Sequence, residues 1–346
     1  MAAEALITYE GWDLTQPTSP LRSRLYSLPP IGIGTSEIES LTGYVARLAD
    51  AHCVSPGDLI AYECKALVRQ PQGKSYLHQI SGSTEVLNGT GQMANEFIQI
   101  LHNLTLRQDL RHLTFLHWGN VLPAKGLMRR FHAWCPVCYQ EWQENGQKIY
   151  ELLLWTLSVV TFCPKHCRKL LFQCPHCDRQ IPLLAWHSRP GYCPKCQRWL
   201  GSTLETNCSV MDVQELEWQT WATRNVGELI AQSFSLTELP SRAKVARALS
   251  ICIAQTTEGN ITEFACRLGL LKSAVSQWRS GKALPQLSVL LKICRALDVS
   301  IIDFLHSESL DHAKLLISSS SSRSKTRQPR RELEIVHYST VSTICP

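Results

Sequence analysis

Four short segments carry the residues best suited to chemistry: Cys135-Pro-Val-Cys138, Cys163-Pro-Lys-His166, Cys174-Pro-His-Cys177 and Cys193-Pro-Lys-Cys196. Each places two soft ligands three positions apart around a proline. A two-residue gap lets both side chains reach one ion from a tight turn, and proline presets one backbone angle of that turn. Eight ligands suit two zinc ions, because a structural zinc takes four ligands in a tetrahedron. Sequential pairing yields one site from Cys135, Cys138, Cys163 and His166, and a second from Cys174, Cys177, Cys193 and Cys196. The second has fifteen residues between its pairs and the first has 24; the shorter gap lies in the range of zinc ribbons and knuckles. A cross-braced arrangement would use the same eight residues. Cys167 stands next to His166 and is an alternative ligand, although the Cys-Pro-x-His register matches the other three turns. His176 and His187 are read as solvated neighbours. Two complete sets of four leave no open position for a bound water, so the expected zinc is structural, and this part of the chain is expected to depend on it for folding.

The elements that hold these turns must come from an ordinary globular chain. It has 346 residues, 44% of them hydrophobic and 18% charged, with a formal charge of +6. That length suggests two or three domains. No run of 18 uncharged apolar residues occurs, so no membrane-spanning helix is expected. The longest apolar stretch, 152–162, reads as a buried element. The first residues carry Glu4 and lack a basic lead into an apolar core, so no signal peptide is expected and the location is read as cytoplasmic. Fifteen cysteines then call for metal rather than disulfides. Around the turns, residues 122–200 hold eleven Lys or Arg against four acids. The same stretch holds Trp134, Trp142, Trp155, Trp186 and Trp199, read chiefly as core filling for small zinc modules, with base stacking the lesser option.

The C-terminal third is punctuated for short helices. Residues 261–268 place Ile261, Phe264, Ala265 and Leu268 on one face, and Gly269 ends the helix. Residues 273–279 form a second helix ended by Gly281. Pro285 opens a third over 287–297, and 299–305 closes the unit. Two short helices around a glycine turn describe a helix-turn-helix. The arrangement of Ala265, Gly269, Val275, Gly281 and Pro285 resembles the Cro/repressor type. By that register Lys272, Ser273, Ala274, Ser276 and Gln277 would face a major groove, and Arg279 the backbone. Gln277 suits adenine; Lys272 suits guanine or phosphate. Leu271 stands where that type often carries a capping hydroxyl, and Ser273 is the substitute.

In the N-terminal third, residues 36–67 read as helical. Ser36 and Glu39 have the spacing of a capping box. Ile38, Leu41, Tyr44, Val45 and Leu48 form an apolar stripe, and Ser55-Pro56 starts another helix. Gly32-Ile-Gly34 lacks the third glycine of a dinucleotide fingerprint. No nucleophile–base set or phosphate loop is visible, so no enzyme is expected. Five serines at 318–322 and the basic residues after them read as a flexible tail.

Taken in order, Leu28-Pro-Pro, Glu39-Ser-Leu-Thr-Gly-Tyr-Val-Ala-Arg-Leu48, Trp134-Cys-Pro-Val-Cys138, Phe162-Cys-Pro-Lys-His166 and Cys174-Pro-His-Cys177 resemble the TniQ/TnsD family of transposon target-selection proteins, over about residues 25–205. The resemblance implies a bacterial adaptor that works on DNA. Family members connect a marked DNA site to a TnsC-type AAA+ ATPase. Some read an attachment site in DNA directly. Others ride on an RNA-guided CRISPR effector complex, where they pair head to tail as homodimers. The expected fold is mainly α with small zinc-bound modules: a helical N-terminal region at 1–121, tandem zinc fingers at 122–204, a helical connector at 205–255, a helix-turn-helix bundle at 256–306 and a Ser-rich basic tail at 307–346. The leading expectation is the adaptor type. A direct DNA-site reader comes second, and a zinc hydrolase or nuclease is a remote third.

Overall fold

The computed structural model describes residues 22–64, 83–203 and 212–306. The first residues, the end of the 36–67 helix, Cys208, the start of the connector and the whole tail lie outside the described residues. The described chain is mainly helical, with ten α-helices and one two-stranded antiparallel ribbon. No helix among these residues is long and apolar enough to cross a membrane.

Helix α1 (Leu41–Ala51) begins one turn later than the sequence suggests, and its cap differs. Ser40, not Ser36, caps it: the Ser40 hydroxyl accepts from the Gly43 N–H at 3.0 Å. Glu39 takes no part in a capping box. Its carboxylate is fully buried and receives the Arg47 guanidinium through two bonds, 2.8 Å from Nε and 2.7 Å from Nη2. A buried carboxylate is better satisfied by a bidentate guanidinium than by one backbone N–H, which decides the competition. The apolar stripe Ile38, Leu41, Tyr44, Val45 and Leu48 is buried as expected of a core-facing helix. The single long helix read over 36–67 is broken: Cys53 takes φ +55, and Ser55 caps a new short helix α2 (Pro56–Leu59), followed by a π turn at Ile60–Cys64.

Helix α3 (Gln92–Thr105) and helix α4 (Pro136–Glu144) follow. Residues 152–162 form the largely buried element read from sequence, with Leu153–Thr156 a buried 3-10 turn and Ser158 exposed. Strands β1 (Phe162–Cys163) and β2 (Arg168–Lys169) pair with Phe162 opposite Lys169. Helices α5 (Val213–Gln232) and α6 (Arg242–Thr257) lead into α7 (Ile261–Arg267), α8 (Lys272–Arg279), α9 (Leu287–Ala296) and α10 (Ile301–His306).

The buried residues form one continuous core, running from Leu25 through the cysteine turns to Leu305. Helix α5 ties the ends together. Its Asn225 Oδ1 accepts from the Ile301 N–H at 3.0 Å, and its Gly227 lets Ser36 approach where a Cβ would sit 3.0 Å from the serine Cβ. Helix α6 packs on α7, α8 and α10, so it is an integral layer of the C-terminal bundle. Trp134, Trp142 and Trp155 are core residues, and Trp199 is half-buried against them. Trp186 departs from this: it is 54% exposed and its ring lies on Gly57, where a Cβ would meet it at 2.1 Å.

Candidate metal centres and nucleic-acid interface

The eight ligands gather as two groups in sequential order: Cys135, Cys138, Cys163 and His166 in one, Cys174, Cys177, Cys193 and Cys196 in the other. Within each group the ligand atoms lie within 4.8 Å of one another. The cross-braced pairing is not formed. In the first group the Cys138 and Cys163 sulfurs are 3.7 Å apart, and His166 Nδ1 lies 3.2 Å from Cys138 Sγ and 3.4 Å from Cys135 Sγ. In the second, Cys174–Cys196 is 3.6 Å and Cys177–Cys193 is 3.8 Å. A tetrahedron with metal–sulfur bonds near 2.3 Å has edges of about 3.8 Å, so both groups fit a zinc ion each.

The backbone explains why these residues converge. Cys135 stands at the N-terminus of α4, and Cys138 is one turn into it, on the same face. The other three turns share a second geometry. The residue after the second ligand adopts a left-handed conformation: Cys167 at φ +48, Asp178 at +52 and Gln197 at +57. The Asp178 N–H donates to the Cys174 carbonyl at 2.9 Å, and Cys174 N–H to the Arg179 carbonyl at 3.0 Å. Gln197, Cys193 and Arg198 repeat those bonds at 2.9 and 3.0 Å. Cys167 is thus the reversal residue of its turn. Its thiol is exposed and bonds the Pro164 carbonyl, which removes it from the ligand set in favour of His166. His176 reaches the Trp199 carbonyl at 3.0 Å and stays outside the group.

Backbone donors prepare the sulfurs for negative charge. The His176 N–H points at Cys174 Sγ from 3.4 Å. Burial pushes the Cys174 thiol up to about 12, whereas the bond from the Arg198 N–H pulls Cys196 down to about 7. Four thiols so enclosed need a cation before all can ionise.

Glu141, which the sequence did not single out, completes the first centre. It lies three residues after Cys138 on α4, and its Oε1 is 2.8 Å from His166 Nε2. With Nε2–H donating there, Nδ1 is left free to face the sulfurs. The Lys165 ammonium, then the His166 ring, holds the Glu141 carboxyl below the usual carboxylate range. Outer partners of this kind typically change metal affinity about 10- to 100-fold. Glu141→Gln is therefore expected to weaken one of two zinc sites by that factor without unfolding the protein. Competition with a chromogenic chelator measures it; equal affinity at both sites in the variant would refute the role.

Beneath the first centre, three buried polar groups meet: His132 Nε2 is 3.3 Å from the Tyr139 hydroxyl and 3.6 Å from Glu151 Oε1. Burial pushes the Glu151 carboxyl up to about 8 and His132 down to about 3, in both cases against the charged form. The Glu151 carbonyl accepts from Ser40 N–H at 2.8 Å, linking this knot to the start of α1.

In the C-terminal bundle Asn260 caps α7 through the N–H groups of Thr262 and Glu263. Gly269 at φ +62 makes the turn, with the Leu270 N–H reaching the Ala265 carbonyl at 2.8 Å. Val275 is fully buried, which turns the opposite side of α8 outward. Lys272, Ser273, Ser276, Gln277 and Arg279 are exposed there, and Ala274 is half-buried. Leu271 precedes α8 without a side-chain cap, and Ser273 does not supply one. Lost capping of this kind costs about 1 kcal/mol.

A sequence model of the TniQ family matches residues 30–170, and one described as a helix-turn-helix matches residues 258–304. No curated protein matches the chain. The TniQ match includes the Glu39–Arg47 pair and the first ligand group and stops before the second. The chain thus carries a TniQ domain, followed by a Cro/repressor-type helix-turn-helix domain.

Proposed function

We propose that the protein is a target-selection adaptor in transposition. The TniQ domain and the helix-turn-helix support a DNA-binding adaptor of that kind. In the fuller reading, two structural zinc ions, held by Cys135, Cys138, Cys163, His166 and by Cys174, Cys177, Cys193, Cys196, build the body. The helix α8 reads nucleic acid with Lys272, Ser273, Ser276, Gln277 and Arg279. The TniQ domain passes the chosen location to a TnsC-type AAA+ ATPase. The protein itself performs no catalytic step; its residues bind and orient. The observation that carries this reading is the continuous core joining the TniQ domain to a bundle whose recognition helix faces outward. Such a body can transmit the position of a DNA site to whatever docks on its other surfaces.

The address has two candidate sources, the DNA sequence itself or an RNA-guided CRISPR effector complex. Selection of bound duplexes from a random pool at about 150 mM salt separates them, because simple phosphate attraction is weakened there. A sharp motif identifies a direct site reader. Gln277→Ala is then expected to cost about 1–3 kcal/mol at one position of that motif, roughly 5- to 150-fold, and to relax the preference for adenine there. No enrichment, with ATPase capture retained in the variant, assigns the address to a guide complex. Failure to capture the ATPase in either form would overturn the adaptor reading. A single substitution is preferable to truncation near residue 256, which would strip α6 and α5 of their packing partners.

A further inference from the structure

The TniQ domain approaches the helix-turn-helix at the start of α9. A Cβ on Gly126 would lie 3.2 Å from Gln286 Oε1, so the loop 123–126 lies against the residue that begins α9. Gly126 has φ +72, and the turn is braced by the Ser158 hydroxyl on the Gly126 carbonyl and by the Leu127 N–H on the Ala124 carbonyl at 3.3 Å. On the other flank, a Cβ on Gly281 would lie 4.0 Å from the Ala246 Cβ of α6. The loop 280–286 that leaves the recognition helix is therefore lined by the TniQ domain on one side and by α6 on the other.

All three segments at this junction are free of acid. No Asp or Glu occurs between Asp109 and Glu141, between Glu238 and Glu258, or between Glu263 and Asp298. Lys125, Arg130, Arg279 and Lys282 are exposed cations near the junction in sequence on these segments. When a recognition helix enters the major groove, the residues following it run along the flanking phosphate backbone. A basic loop fixed against those residues then faces the same strand.

We propose that the 123–126 loop of the TniQ domain is part of the DNA-binding surface: Lys125, at the junction with Lys282, holds the phosphates that flank the groove entered by α8. The bound duplex then runs from the helix-turn-helix onto the TniQ domain, and its footprint exceeds that of the bundle alone. This rests on α8 being a DNA reader.

The test is the salt dependence of duplex binding by the full zinc-loaded chain, using the motif enriched by wild type. Each phosphate neutralised contributes about 0.9 to the slope of log K against log salt. Lys125→Gln is expected to lower the slope by about 0.9, so that between 50 and 200 mM salt wild type loses about threefold more affinity than the variant. The enriched motif is unchanged. Trimming the duplex on the side of the 123–126 loop is expected to give the same loss, not additive with the variant. Lys148→Gln, in the cleft with Arg47 and Arg189, leaves the slope intact. Binding that depends on Gln277 but is indifferent to Lys125→Gln and to trimming would overturn this proposal alone. Absence of any duplex binding would overturn the DNA-reading function and the proposal with it.

Discussion

Cys138→Ser is expected to reduce the metal content from two zinc ions per chain to one and to remove most of the stability of the body. Structural zinc contributes about 10–16 kcal/mol of apparent folding free energy in small zinc modules, comparable to the whole stability of an ordinary domain. Cys138 cannot be lost locally. It sits in α4 between Tyr139 and the Cys135 that begins the helix, and all three belong to the continuous core. An unfilled site would leave buried Cys135 and Cys163 and half-buried His166 without a cation. Metal analysis together with thermal unfolding reads the outcome, and a chelator is expected to reproduce it in wild type. Cys167→Ser, whose thiol is exposed beside the same centre, is the matched control and is expected to keep both ions. Two ions and an unaltered midpoint in Cys138→Ser would refute the ligand assignment. Loss of metal from Cys167→Ser would reverse the choice between Cys167 and His166.

Arg47→Met is expected to destabilise the fold by about 3–5 kcal/mol, the usual consequence of stranding one member of a buried ion pair. Burial pushes the Glu39 carboxyl up; the Arg47 guanidinium first, then the Ile31 N–H and the charge of Lys148, pull it back. Arg47 also donates to the Pro29 carbonyl at 2.9 Å, and Tyr44 donates to the Leu28 carbonyl at 3.1 Å. The pair therefore pins the Leu28-Pro-Pro lead onto α1, and the variant is expected to free it. Replacing both charges, as Glu39→Leu with Arg47→Met, is expected to recover most of the loss, because apolar groups of similar size need no counterion. Denaturant unfolding of the single and double variants measures the coupling. A single variant as unstable as the double, or a loss below about 1 kcal/mol, would show that the pair is not what holds the lead segment.

The Glu39–Arg47 pair also shows where reading from the chain reaches its limit. The residues that carry the family resemblance were all visible, yet Ser36 and Glu39 have capping-box spacing as well. Spacing along the chain cannot tell a local bond to backbone from a bond to a side chain two turns on when both satisfy the same carboxylate. Burial settles the matter, and burial is a property of the assembled core. Glu141 is similar. Its place three residues after Cys138 puts it on the ligand face of α4, but its task depends on His166, brought up by a different segment.

What the sequence by itself determined was local: four ligand turns, the glycine and helix punctuation of the C-terminal bundle, and the buried stripe of α1. Each is set by interactions within a few residues, where proline, glycine and side-chain periodicity constrain the backbone directly. Only the tertiary structure decided which turns come together as one ligand group, that Cys167 serves as a reversal residue, that α6 is a layer of the C-terminal bundle, and that the TniQ domain abuts the loop after the recognition helix. Those outcomes depend on contacts between residues far apart in sequence, such as Gly126 with Gln286 and Asn225 with Ile301, for which composition and spacing carry no signal.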